Sequence, residues 1–457
     1  MSKTIYKLGF LVYLLLLVMA VLFYKERIVL LDDSLYTFNI LLKGNFSIEH
    51  YRFIAVFTEV FPLLASKLSL SLKSVAVAYS AGFVIYYALC YFVTGTVFRN
   101  PRMALVLLLF NILFVSHAFY WMLSELTQGV AMLIPLLAYL EGKEVKQVGV
   151  GRWLIIIAVL ITLVFAHPLM LFPVSFGLLF LLLRASTKAE RQLYITVGVS
   201  FVVLTAAKML FVKEAYDSQS MQSINNVKNL FPDYIRLHSN KVFLRNCLTK
   251  YYWIPICFLL TVFVYVKQAK WKQLGLYLLY IPGFLMLINI SYFSSDVYEF
   301  YIENLYLPLG FLISLPLVYD VLSYFDKPAV SWVLLSTVVL TGMVRIYSMR
   351  KPYKDRIDWL RHTYVTYTGK KVMIDEKTTP KGTLLMSWGS PYEFWLLSTI
   401  ETGNSASIII HPDLEHINWM REPRDAFATT WGLFSYHDLD KRYFKFTDTI
   451  QSYELVK

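Results

Sequence analysis

Cysteine is scarce in this chain of 457 residues: Cys90, Cys247 and Cys257 are the only three. Cys90 and Cys257 lie inside apolar runs, so no disulfide framework is expected and the redox compartment is left undetermined. Charge is scarce too. Asp, Glu, Lys and Arg make up 16 % of the chain, against about 25 % in an ordinary soluble domain. Several signatures are missing altogether: Gly-x-Gly-x-x-Gly, the phosphate-loop Gly-Lys-Ser/Thr, Cys-x-x-Cys, internal repeats and low-complexity tracts. Their absence removes the usual nucleotide-binding and thiol-redox classes. What the chain has instead is 57 % hydrophobic and 17 % aromatic residues, which predicts an integral membrane protein. Its net charge of +12 then belongs to cytoplasmic loops and lipid phosphates, with membrane lipids rather than nucleic acid as partners.

A membrane-spanning helix needs roughly 20 mostly apolar residues. That rule predicts helices over 8–23, 74–97, 103–116, 120–140, 153–166, 168–183, 192–212, 252–267, 274–292, 303–323 and 329–347. No small-residue cleavage site follows the first run, so it is expected to be retained. The interval 153–183 is short for two full crossings, and His167-Pro168 is its expected hairpin tip, because proline breaks helical hydrogen bonding. With the N-terminus cytoplasmic, every short loop on that side is basic: Arg99 and Arg102, then Lys143, Lys146 and Arg152, then Arg184, Lys188 and Arg191. Lys267, Lys270, Lys272 and Lys327 complete the pattern, as the positive-inside rule requires. The expected architecture is an α-helical polytopic membrane protein of about eleven transmembrane helices, 1–349. From about Arg350 the composition becomes soluble, and 350–457 is expected to be a small extracytoplasmic α/β domain. There Lys371–Ile374, Thr383–Ser387 and Ala406–Ile410 read as strands, and Ser390-Pro391 opens a helix through Leu396 that stops near Gly403.

Two long segments face outside in this topology. Residues 25–73 read as two interfacial amphipathic helices, the first with Leu35, Phe38, Leu41 and Leu42 on one face, the second starting at Ser47 and ended by Pro62. Residues 213–250 are polar and mixed and read as a mobile loop. Four polar groups collect on the outer side. Asp32 and Asp33 are adjacent carboxylates, which repel unless a cation, proton or water sits between them; the plainer alternative is that Asp33 or Ser34 caps a helix from Leu35 to Leu42, closed by Gly44. Glu125 and Gln128 share a helical face near His117, Ser124 and Thr127, as a helix start with an acid in its first turn would also require. His167 is a catalyst or a hydrogen-bonded structural residue. Asp296, Glu299 and Glu303 run along one face, with Tyr298, Tyr301 and Asn304 among them, to bind a metal or sugar or to pair with nearby cations. Arg52, Arg236, Lys241 and Arg245 could hold a phosphate or be solvated loop charge. Tyr120, Trp121, Tyr251, Tyr252 and Trp253 belong first to the interfacial aromatic belt and only second to sugar stacking.

This layout resembles the GT-C superfamily of polytopic membrane glycosyltransferases, whose first outer loop carries an Asp-Asp or Asp-Glu pair just after the first helix. Asp32-Asp33 stands where that pair stands, and 25–73 looks like the loop. The likeness covers the first 140 or so residues best, together with the overall topology, and it is architectural. It implies inverting transfer of a hexosyl or pentosyl group from a polyprenyl-phosphate donor to a glycan, lipid or protein acceptor on the extracytoplasmic face of the cell membrane. Asp32 or Asp33 would be the base that deprotonates the acceptor hydroxyl, and a nearby cation would steady the departing phosphate. Tyr36, Arg52, Glu125, His167, Arg236, Lys241, Arg245, Glu299 and Tyr301 are the expected substrate contacts. Some members need Mg or Mn and others do not, so a divalent cation is left open and no metal ligand is assigned. Three other classes compete: a transporter or lipid flippase, another lipid-linked group transferase or ligase, and a membrane-anchored scaffold. Against transport stand the few mid-span charges, with Lys208 near one end and Asp320 near the cytoplasmic boundary, and the lack of matching halves.

Overall fold

Peptide groups inside a bilayer have no water to bond, so each apolar run closes its hydrogen bonds within a helix. The computed structural model describes residues 3–212, 230, 233–294, 298–325, 328–447 and 451–456; Lys213, Asp296, Lys327 and the polar run 217–226 lie outside them. The first part of the chain forms α1 (Lys3–Leu22), α2 (Tyr24–Ile28), α3 (Leu31–Lys43), α4 (Val56–Lys67), α5 (Leu72–Phe92), α6 (Pro101–Leu113), α7 (Glu125–Leu140), α8 (Val150–Ala166), α9 (Leu171–Arg184) and α10 (Lys188–Phe211). Then follow α11 (His238–Thr249), α12 (Trp253–Lys267), α13 (Trp271–Ser291), α14 (Glu299–Pro316), α15 (Pro328–Ser348) and α16 (Arg350–Thr366).

Among the described residues, five helical stretches are long and apolar enough to cross a membrane: Leu72–Val97, Lys188–Phe211, Trp271–Ser291, Glu299–Tyr324 and Ala329–Thr366. A sixth counts if α11 and α12, bent by 89°, are one broken span. Shorter apolar helices occupy Tyr6–Leu22, Pro101–Leu113, Glu125–Leu140, Val150–Ala166 and Pro168–Arg184. Length and composition therefore support a helical membrane protein, with five or six stretches of spanning length among the described residues. Leu14, Leu154, Val203, Leu210, Leu279 and Leu340 are exposed on its flanks, an apolar surface too extensive for a water-soluble monomer. The stretch that begins as α14 is the central pillar, with 94 % of its apolar window buried.

The C-terminal part continues from α16 into β1 (Lys371–Asp375), α17 (Ser390–Thr402), β2 (Ser407–His411), β3 (Ala426–Thr429), β4 (Gly432–Ser435) and β5 (Glu454–Val456). Strand order is β2-β1-β5, all parallel, with Lys371 opposite Ser407 and Asp375 opposite His411; β3 and β4 form a separate antiparallel hairpin. Parallel strands are covered on both faces, and Val372, Met373, Ile408, Ile409 and Ile410 are all buried. This core does not stop at the expected boundary. Phe38 of α3 sits among Tyr392, Trp395, Phe427, Phe434 and Phe444, with ring centroids 5.0 to 5.9 Å away, so the first-loop helices and the C-terminal domain share one apolar cluster.

Several local expectations fail for identifiable reasons. Thr383–Ser387 is not a strand: Gly382 and Leu385 take positive φ (82° and 63°), and the Arg356 guanidinium donates to the Thr383 and Leu384 carbonyls that a ladder would need. Ser390 is not the cap of α17, since Gly389 holds that position and the Ser390 hydroxyl accepts the Ile410 N–H at 3.0 Å; the stop at Gly403 is as expected, with φ 77°. Pro62 does not end its helix. Phe61 packs so closely on Gly82 that a Cβ there would lie 2.6 Å from its ring, and this packing against α5 carries α4 past the proline to Lys67. The helix expected from 120 begins only at Glu125. Within the segment expected to be a mobile loop, His238–Thr249 is helical.

Candidate functional site

The start of α3 decides the site. Its N-cap residue is Leu30, with no side-chain cap, and both aspartates stand in the first turn. The capping role expected as the alternative for Asp33 or Ser34 is therefore not what the pair does. Consecutive helical residues are about 100° apart, so the two carboxyls look in different directions. Asp32 lines a cavity of about 200 Å³ together with Tyr36, His50, Arg52, Trp121, Ser124, Glu125, His167, Tyr301 and Asn304. Tyr36 follows Asp32 by four and so shares its face.

Asp33 turns inward and is fully buried. Neither of its oxygens has a hydrogen-bond partner among the described residues. Burial, then the neighbouring Asp32, push its carboxyl well above the usual range, against the pull of Arg27. Arg27 is itself committed elsewhere: it donates to the Ser80 hydroxyl at 2.8 Å and to the Ser80 and Phe119 carbonyls.

Within the cavity, burial and then the Glu125 carboxylate raise Asp32 to about 7. The Trp121 indole N–H has no hydrogen-bond partner among the described residues, yet it lies near enough to favour the charged form of Asp32, as does Arg52. Glu125 fixes the Arg52 guanidinium by an ion pair of 3.0 Å. Glu125 is placed by the Ser124 cap at the head of α7. His167, between α8 and α9, accepts the Leu169 N–H on Nδ1 at 3.1 Å, which leaves its ring proton on Nε2. Burial, then the charges of Arg52 and Lys208, hold it neutral, well below its ordinary value.

Six of the expected site residues thus meet: Asp32, Tyr36, Arg52, Glu125, His167 and Tyr301. Five do not line the cavity. Asp33 is turned away, as above. Tyr301, Asn304 and Leu305 form the cavity face of α14, while Glu299 and Glu303, four apart, lie on another. Glu299 pairs with Arg245 at 2.9 Å and with Lys250, so Arg245 and Glu299 bind each other, and Glu303 accepts the Ser116 and Ala118 N–H groups at 2.7 and 2.8 Å. Arg236 is an exposed charge 3.7 Å from Asp233, and Lys241 is exposed. His50, Trp121 and Asn304 are cavity residues not expected as such. Trp121 leaves the aromatic belt altogether: it is buried edge-on against Phe300 at 4.4 Å.

Further along α7 lies a second, mostly apolar cavity of about 520 Å³, with Arg152 on its wall. Met132, Leu136 and Tyr139 of α7, Ile155, Ile156 and Val159 of α8, Leu89 of α5 and Phe57 of α4 line it. Glu125 and Met132 are seven apart on α7, so one helical face passes from the polar chamber into the apolar groove. Among the described residues, no three His, Cys, Asp or Glu side chains gather so as to hold a metal ion. No protein-family model, curated protein or solved structure matches the chain.

Proposed function

We propose that the chain is an integral membrane glycosyltransferase that moves a sugar from a polyprenyl-phosphate donor to an acceptor hydroxyl on the extracytoplasmic face. One observation carries this reading: a carboxylate, a paired arginine and a neutral histidine share a small chamber whose α7 wall continues into an apolar groove. Asp32 takes the acceptor's proton; a base near 7 is well matched to neutral pH. The acceptor oxygen attacks the anomeric carbon as the bond to the phosphate oxygen breaks, with inversion. Arg52 and the Nε2–H of His167 offer positive charge and a donor to the phosphate as its charge grows. Glu125 keeps Arg52 in place between turnovers. The groove along α7 and α8 receives the isoprenoid chain, which explains a transferase built into a membrane. Asp33 has no part in the proton transfer. The eleven-helix topology, with N-terminus inside and the C-terminal domain outside, belongs to the same proposal.

The test uses the purified full chain in lipid nanodiscs with synthetic polyprenyl-phosphate pentoses and hexoses and a cell-envelope extract as acceptor source. Polyprenyl phosphate should be released, and Asp32→Asn should cut the rate by about 10²-fold or more, the scale of a lost general base. Release that is unchanged in Asp32→Asn would overturn the assignment.

A further inference from the structure

A helix start leaves its first N–H groups without partners, and at α3 the residue before the helix, Leu30, has no side chain to supply one. The partner comes from the other end of the chain. Glu393 of α17 accepts the Leu31 N–H on Oε1 at 2.7 Å. Its second oxygen is held by Arg356 of α16, whose guanidinium is anchored in turn on the Thr383 and Leu384 carbonyls. The side chains of this ion pair are 2 % and 0 % exposed. A second contact lands on the same residue: a Cβ on Gly389 would lie 2.8 Å from Leu31 Cδ2 and 3.1 Å from its Cα. Leu31 itself has φ +35°, a conformation that costs an L-residue energy and survives only where its surroundings over-determine it. The next residue is Asp32.

We propose that Glu393 is a positioning residue for Asp32: through the Leu31 N–H, the C-terminal domain sets where the base stands in the cavity. The proposal rests on the reading of Asp32 as the base. Attachment of the domain does not account for the arrangement. Phe38 and its five aromatic neighbours already fasten α3 to the domain, and Lys25 pairs with Glu401 at 2.6 Å on the same seam. A buried ion pair adds little net stability over apolar packing, and its best-attested use is to fix one arrangement. Here it fixes the backbone group adjacent to the base. The domain is thereby part of the frame of the site.

Three variants separate positioning from attachment. Glu393→Ala removes the acceptor, Glu393→Gln keeps an oxygen for Leu31, and Glu401→Ala loosens the same seam away from the site. Glu393→Ala should lower kcat on the order of 10²-fold, the cost of misplacing a reacting group by about 1 Å, with KM for the donor nearly unchanged. Glu393→Gln should recover most of that loss, and Glu401→Ala should keep kcat. Equal losses in Glu393→Ala and Glu401→Ala, or no rescue by Gln, would overturn the proposal. If Ala at 393 prevents folding, Gly389→Ala, which pushes directly on Leu31, takes its place with the same expected loss. Amide exchange gives a readout free of any donor: the peptide covering Leu31 to Ser34 should exchange at least about tenfold faster in Glu393→Ala, following loss of its hydrogen bond, and not in Glu401→Ala. Unchanged exchange sinks the positioning role, whereas a wild-type chain inactive on every polyprenyl-phosphate sugar sinks the function and leaves the exchange result to decide this one.

Discussion

Asp32 and Asp33 are neighbours in sequence with opposite environments, one facing a chamber with cations and the other sealed behind it. Their substitutions should therefore diverge. Asp33→Asn should retain transfer activity to within a few fold, because it removes a buried carboxyl without touching the cavity, while Asp32→Asn should abolish it; a donor-release assay on both checks this. The pH dependence follows from the same environment. Asp32 must be ionised to act, and its carboxyl is raised from near 3.8 to about 7, so kcat/KM should rise about tenfold per pH unit below 7 and level off above it. Stability runs the other way. A carboxyl whose folded value is raised favours the folded state fully below pH 3.8, and this contribution is lost as the pH climbs to about 7. Asp32→Asn should consequently raise the melting temperature, and by more at pH 8 than at pH 5. Sequence could single out Asp32, Arg52, Glu125 and His167, because charge and histidine at the ends of apolar runs are costly to keep. It could not tell which of Asp32 and Asp33 meets the cavity, since the rotation of a helix about its axis is set by distant packing; that Glu299 faces away from Tyr301, two residues on, follows from spacing. His50 carried no local signal, and the boundary position of Trp121 pointed first to the aromatic belt. Asn304 was legible as a member of the polar group before α14, and its spacing of three from Tyr301 puts the two on one face.

At the level of elements, α7 joins the two chambers. Its polar head bears Glu125 and its next turns bear Met132, Leu136 and Tyr139. A bulky residue in the groove should act on the lipid and spare the chemistry. Met132→Trp should raise KM for a long-chain polyprenyl donor by about tenfold or more, as expected when an apolar site loses about two or more buried methylene contacts worth ~0.8 kcal/mol each, and leave a short-chain analogue nearly unaffected. Equal KM increases for both donors would remove the groove from lipid binding. Element existence was well marked by hydropathy, and β1, β2 and the Gly403 stop by local composition. What failed were boundaries decided by contacts far away in sequence: Pro62 carried through on Gly82, Leu31 drawn into α3 by Glu393, and the 383–387 backbone taken up by Arg356. None of those partners lies near in the chain.

For the molecule as a whole, the shared core of α3 and the C-terminal domain constrains how often the chain crosses between them. Both lie on one side, so the crossings from residue 43 to 350 must be even in number. The five long stretches all begin in that interval and alone would put the domain opposite Asp32; counting α11 and α12 as one broken span gives six, and adding α6, α7, α8 and α9 gives ten. The cavity favours ten. Trp121 lies between α6 and α7, Glu125 at the head of α7 and His167 between α8 and α9, yet all three line one chamber with Asp32, and in the proposed topology α6 and α8 each return the chain to that side. Single cysteines in a background with Cys90, Cys247 and Cys257 changed to serine distinguish the counts. A membrane-impermeant maleimide applied to sealed right-side-out vesicles should label Lys381→Cys in the domain and Leu171→Cys at the head of α9, both exposed positions. Lys146→Cys and Lys188→Cys, exposed on short basic loops, should react only after permeabilisation. Six crossings would place Leu171 with Lys146 and Lys188 instead, and labelling of Leu171→Cys confined to permeabilised vesicles would separate His167 from Asp32 by the full membrane and dissolve the chamber on which the transferase reading depends.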